Sequence, residues 1–152
     1  MKKINTLVND IYDLFTLKPI DKPVQEVDSL IDNFGNMLKL HIKDFLYERP
    51  AYVSKGLRLS GIGKPNRQVW YEINSETTEE NLPPNLRIRF LYGYILEELL
   101  LLFAQIAGHK VEAQQKEVKL EGVLGHQDAI IDNVLVDCKS SSGRSFEKFK
   151  KN

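Results

Sequence analysis

The sequence predicts an α+β fold, with helices leading into three mainly antiparallel strands and then into the start of a further helix. Three observations carry this reading. Apolar residues recur at helical spacing through much of the chain before Gly108. After Lys110 the pattern changes to strand-like runs rich in β-branched residues. From Gly143 onward Phe146 and Phe149 again keep helical spacing.

Taken in order, residues 4 to 16 read as a short amphipathic helix through Ile4, Leu7, Val8, Ile11, Leu14 and Phe15. A longer helix is expected from about Pro23 to Tyr47, with Val27, Leu30, Ile31, Phe34, Leu38, Ile42 and Phe45 on its apolar stripe. Pro23 is tolerated in a first turn and Pro50 closes the segment. His41 falls at the edge of the stripe as a packing residue, and residues 1–50 form a helical N-terminal region without visible chemistry. Residues 51–82 read as an irregular connecting segment, because Gly56, Gly61, Gly63 and Pro65 interrupt the chain before Val69-Trp70-Tyr71-Glu72-Ile73. The polar, acidic run from Asn74 to Asn81 reads as an exposed loop. Pro83-Pro84 then opens a strongly apolar helix over roughly Asn85 to Ala107, stopped by Gly108. Three strands follow, Val111 to Leu120, Val123 to Ile131 and Val134 to Lys139, and complete a third region, residues 83–152, with the last helix.

At 152 residues and 42% hydrophobic content the chain is about one domain long and can fill a modest core. The formal net charge is zero, so no global charge announces a partner. Locally, Lys139 to Asn152 holds five basic residues against Glu147 alone, and Lys55, Arg58, Lys64 and Arg67 cluster in the glycine-containing segment. Such clusters suit phosphate contacts, and a basic tail also serves simple solubility. The single Cys138 excludes an intrachain disulfide framework and a four-cysteine zinc or iron–sulfur site. With no signal peptide and no membrane-spanning apolar run, a protein of a reducing cytoplasm is expected.

Chemistry concentrates in Gly125-His126-Gln127-Asp128-Ala129-Ile130-Ile131-Asp132-Asn133-Val134-Leu135-Val136-Asp137-Cys138-Lys139. Asp132-Asn133 suits a tight two-residue turn, which pairs Ile131 with Val134 and, counting back, sets Asp128 opposite Asp137. Asp132 itself is read as a turn former. Like charges directly opposed are destabilising unless offset, and a hard divalent cation is the obvious offset. Period-2 alternation puts Lys139 on the face of Asp137, beside His126. An Asp-x-Lys at a strand end is also common on an ordinary solvated face.

Between Tyr94 and Ala107 the only charges are Glu97 and Glu98. Successive helical residues point about 100° apart, so at most one of them can face the strands. Glu97 follows Gly93 by four residues, on a face where Gly93 permits close backbone approach. Burial there raises its pKa unless a cation or donor meets it; the alternative places both glutamates on an exposed stripe. Glu97, Asp128, Asp137 and Lys139 together make a set able to hydrolyse a phosphodiester, with the Cys138 carbonyl as a further metal ligand and its thiol turned to the core.

This order of Glu, Gly-x-x-Asp and Asp-x-Lys on helix, strand and strand resembles the PD-(D/E)XK nuclease superfamily. Gly125-His126-Gln127-Asp128 with Val136-Asp137-Cys138-Lys139-Ser140 is similar to bacteriophage exonucleases related to RecB-type and CRISPR-adaptation nucleases. Leu57 to Tyr71, Gly93-Tyr94-Ile95-Leu96-Glu97 and Ser145-Phe146-Glu147-Lys148-Phe149 extend the resemblance over roughly residues 55 to 152. It implies a restriction-endonuclease-like core and a Mg2+- or Mn2+-dependent DNA exonuclease of phage replication, recombination or host-DNA breakdown, acting in the cytoplasm of an infected bacterium. Asp128, Asp137, Glu97 and the Cys138 carbonyl would hold metal, and Lys139 would be the catalytic lysine. Arg58, Lys64, Arg67, Arg144 and Lys148 would contact DNA, with Gln114 and His126 in support. Asn66 stands where some relatives carry a cluster cysteine, so no iron–sulfur cluster is expected. Such nucleases continue into a further strand and helix, so the core is expected to be incomplete. That leaves an alternative: an inactive or split nuclease fragment that binds DNA, a missing C-terminal partner or a second copy of itself.

Overall fold

The computed structural model describes residues 2–16, 19–47, 57–74, 83–141 and 143–150. The fold is α+β: helices pack on small antiparallel sheets. A single 3-10 turn, Ile4–Thr6, leads into α1 (Leu7–Leu14), and α2 (Val24–Leu46) follows with Pro23 just ahead of its first turn. α4 (Pro84–Ile106) is the central helix, opened by Pro83 and Pro84 as the sequence anticipates. Its end is a Schellman arrangement: Gly108 takes φ +87°, its N–H meets Gln105 O at 3.0 Å, and His109 N–H meets Ala104 O at 2.9 Å.

The three strands expected are five. The first is divided into β1 (Val111–Glu112) and β2 (Lys116–Leu120), the second into β3 (Val123–Gln127) and β4 (Ala129–Ile131), and β5 (Val134–Val136) ends before Asp137. β1, β4 and β5 form one antiparallel sheet in the order β1-β4-β5, while β2 and β3 form a separate two-stranded ribbon. The break lies at Ala113 and Gln115, both in left-handed conformation (φ 51° and 48°), where Gln115 N–H bonds the Asp128 carbonyl at 2.9 Å and Gln127 Nε2 donates to Ala113 O at 3.0 Å. α5 (Gly143–Lys150) is the final helix.

One segment differs in kind from the irregular connection expected. α3 (Asn66–Asn74) is a helix, preceded by a 3-10 turn at Leu59–Gly61. Pro65 explains it: its carbonyl accepts from Gln68 N at 2.9 Å and Val69 N at 3.1 Å, and its fixed φ suits the entry to a helix. Val69 and Ile73 form the half-buried i, i+4 side of that helix. Of the run Asn74–Asn81 expected as an exposed loop, Asn74 is the last residue of α3 and the rest lies outside the described residues, as do Pro50 and Lys55.

The core is small. Leu101 and Ala104 of α4 meet Ala129 and Ile131 of β4, and Ile4, Leu7, Val111, Val136 and Cys138 pack around them. Leu101 and Ile131 are fully enclosed, which contributes about 1.5–3 kcal/mol each. α2 lies along α4 through half-buried contacts: His41 stacks on Tyr94 at 4.9 Å, Phe45 meets the same ring edge-on, and Arg87 Nη2 donates to Phe45 O at 2.7 Å. Among the described residues no helix is long and apolar enough to cross a membrane.

Candidate functional site

The turn between β4 and β5 is the one the sequence anticipates. Asp132 and Asn133 both adopt left-handed φ (49° and 67°), the pattern of a type I′ turn. The register that follows is Ile131↔Val134, Ile130↔Leu135 and Ala129↔Val136. The pairing stops there, one residue short of Asp128 on one side and Asp137 on the other. Asp128 reaches across the hairpin, its Oδ2 accepting from the Cys138 N–H at 2.6 Å. Asp137 and Lys139, both exposed, form an ion pair, and that hydrogen bond holds the Lys139 pKa above the ordinary lysine range.

α4 delivers the third acid. Glu97 is half buried and its Oε1 accepts from Gln115 Nε2 at the break between β1 and β2. Burial pushes its pKa up, the Gln115 donor opposes this, and the charge of Asp128 pushes it up again. Glu98, one position on, turns to α2 and is buried, 3.4 Å from His41 Nε2. Only one glutamate therefore faces the strands, and neither lies on an exposed stripe. The Cys138 thiol, packed on the core, is pushed up to about 11 by burial and then by Glu97, Asp128 and Asp137. It stays protonated near neutral pH and is no nucleophile.

Glu97, Asp128, Asp137 and Cys138 thus share one electrostatic neighbourhood, with Lys139 at its exposed side. Among the described residues no group of three or more His, Cys, Asp or Glu side chains could hold a metal ion. The donors present nonetheless suit a hard cation of the magnesium type, which keeps several waters and needs only one or two carboxylates. Asp128 and Asp137 supply two oxygen-donor groups across one hairpin; a closed three-carboxylate cage that includes Glu97 does not form.

Several expected neighbours stand elsewhere. His126 does not lie beside Lys139: it is on β3, opposite Glu117 of β2 and 4.0 Å from its carboxylate, because the strand breaks before Asp128 and the alternation count does not carry across. Gln114 is exposed, and its neighbour Gln115 takes the place against Glu97. Gly93 permits no close approach, since a Cβ added there would meet nothing within 4 Å. The close approach is at Gly125, where an added Cβ would lie 2.9 Å from both Cβ and Cγ of Leu59.

Of the residues expected at DNA, Arg58 bridges to Leu124 of β3, Lys64 is half buried before α3, and the Arg67 guanidinium lies 5.8 Å over the Tyr71 ring. Lys148 is exposed on α5; Arg144 falls in the same helix, its side chain outside the described residues.

Sequence reasoning passed over a second polar cluster. His109, its side chain fully enclosed, directs Nδ1 to Asp132 Oδ2 at 2.6 Å and Nε2 to Asp10 Oδ2 at 3.0 Å. Asp132 also accepts from Lys110 N at 3.0 Å, and Asp10 from Thr6 Oγ1 at 2.6 Å, with Lys2 Nζ at 3.3 Å. Both imidazole nitrogens can donate at once only in the protonated ring. The sequence signal was slight: a histidine directly after a helix-stop glycine.

No family model, curated protein or solved structure matches this chain.

Proposed function

We propose that this chain is a Mg2+- or Mn2+-dependent DNA nuclease of the PD-(D/E)XK type, acting on ends as an exonuclease in phage replication, recombination or host-DNA degradation. One observation carries the reading: across the type I′ hairpin the Asp128 carboxylate accepts from the Cys138 N–H, between Asp137 and Lys139, which are paired with each other. Asp128 and Asp137 would hold the ion, with the Cys138 carbonyl beside them. A bound divalent ion lowers the pKa of water and neutralises charge on a phosphate. Lys139, held cationic by Asp137, offsets negative charge developing on the phosphate. Gln115 fixes one oxygen of Glu97, which leaves the other to accept a hydrogen bond from the attacking water.

The test uses end-labelled linear DNA with Mg2+, with Mn2+ and with EDTA. Metal-dependent loss of label is expected, reduced by about 10²-fold or more in Lys139→Ala, the scale of losing one charge-stabilising donor. Unchanged DNA with either metal, or full activity in that variant, overturns the proposal. Resistance of circular DNA separates exonuclease from endonuclease.

A second reading, an inactive core that binds DNA, is favoured by the internal engagement of both carboxylates, Asp128 by the Cys138 N–H and Asp137 by Lys139. Metal-independent binding without cleavage supports it.

A further inference from the structure

We propose that α3 carries a stacking platform for an unpaired DNA strand, with Trp70 as its principal ring. The helix is turned unusually. Its aliphatic residues Val69 and Ile73 are half buried, while the largest apolar side chains face water: Trp70 is 58% exposed and Tyr71 51%. The two rings stand edge to face at 5.2 Å and 84°, and Arg67 lies over the Tyr71 ring. Asn74 Nδ2 donates to the Trp70 carbonyl at 2.8 Å and secures the last turn beneath the rings.

The occupant follows from charge and ring chemistry together. Residues 57–74 hold Arg58, Lys64 and Arg67 against the single acid Glu72, so the segment is cationic, and the exposed Arg67 brings that charge to the Tyr71 ring, which suits a polyanion. A protein partner without negative charge would meet the aromatic rings equally well but would gain nothing from the cations. A polynucleotide uses both, since bases stack on aromatic faces while Lys and Arg track the phosphates. In a duplex the base faces are already stacked on one another; an unpaired strand presents them.

Position agrees. The segment before α3 docks on β3, with Leu124 N–H on the Leu57 carbonyl at 3.0 Å and Leu59 against Gly125, and β3 continues directly into Asp128. The platform is thus tethered to the strand that leads into the acidic hairpin. That the bound strand is a substrate end rests on the nuclease reading; the binding itself does not.

Trp70 is the only tryptophan, so its emission reports this surface alone. The intact chain is titrated in EDTA at low salt with an oligo-dT of about 16 nucleotides, near the upper site size of one binding fold, and with a blunt duplex of equal length. Saturable quenching by oligo-dT is expected, with affinity about tenfold or more above that for the duplex. With affinity read from the fluorescence anisotropy of a labelled oligo-dT, Trp70→Ala, checked for folding by circular dichroism, should weaken binding about tenfold, while Trp70→Phe stays within about threefold. If Trp70→Ala does not fold, the quenching and the Trp70→Phe affinity decide.

Binding without quenching, equal or tighter duplex binding, or unchanged affinity in a folded Trp70→Ala overturns the proposal. So does emission that varies with protein concentration alone, which assigns the rings to a second copy of the chain. Quenching by oligo-dT with no metal-dependent cleavage sinks the nuclease reading and leaves the platform standing; cleavage without quenching does the reverse.

Discussion

A half-buried carboxylate beside a second carboxylate holds its proton to higher pH than one in water, and Glu97 is in that position. The amide of Gln115 is the one group found opposing the rise through a hydrogen bond. Two substitutions should move the titration in opposite directions. Gln115→Ala removes a donor to the charged form, so the Glu97 pKa climbs further above the ordinary glutamate range. Asp128→Asn removes a repelling charge, so it falls back toward that range. Carbon-13 NMR titration of the Glu97 carboxyl in metal-free protein reads both shifts directly. Movement in the same direction for both variants would show that the geometry around Glu97 is wrong. Glu98, next in the chain, has a different partner in His41, as a turn of about 100° per residue requires.

Between elements, residues 57–62 dock on β3, the strand that leads into Asp128, and Gly125 makes the close approach possible. A methyl group there overlaps Leu59, so Gly125→Ala should cost about 1–3 kcal/mol in denaturant unfolding, the usual scale of overpacking. In a Leu59→Ala background the same change should cost well under 1 kcal/mol. Equal cost in both backgrounds rules out the overlap as the cause.

The resemblance singled out Gly125 within a motif, but the sequence offered no reason for the glycine, because its partner lies 66 positions upstream. Local chemistry was legible: Asp132-Asn133 between β-branched runs specifies the hairpin, and with it the pairing of Ile131 with Val134. Gly108 likewise specifies the end of α4. The break at Ala113 and Gln115 was not legible, since neither residue favours positive φ; tertiary context imposes it. The consequence was the misplacing of His126 and the choice of Gln114 over Gln115. α3 was hidden by its own Gly- and Pro-rich approach, and the His109 cluster by the distance in sequence between Asp10 and His109.

At the scale of the whole molecule, that cluster joins three parts: α1 through Asp10, the end of α4 through His109, and the β4–β5 turn through Asp132. Its hydrogen bonds lie beside the apolar packing of Ile4 and Leu7 on the core, so part of what fixes α1 is polar and depends on charge. Both carboxylates are held below the ordinary aspartate range. For Asp10 the Thr6 hydroxyl leads, opposed by burial and aided by Lys2 and His109; for Asp132 burial pushes up but the His109 ring and the Lys110 N–H outweigh it. A carboxylate whose pKa is depressed by folding contributes stability that is present above its unfolded value and is lost as pH falls through the folded one. The cluster therefore stabilises the protein in full above about pH 5 and loses that contribution as acid is added below about pH 4. Asp132→Asn should cost about 1–3 kcal/mol at pH 7, since it leaves His109 with a weaker partner in an enclosed site. The same variant should lose less stability than the wild type between pH 5 and pH 3, because one proton-linked carboxylate is gone. Urea unfolding at these pH values measures both quantities. Parallel pH profiles for the two proteins would mean that Asp132 carries no depressed titration and that the ring is held by shape rather than by charge.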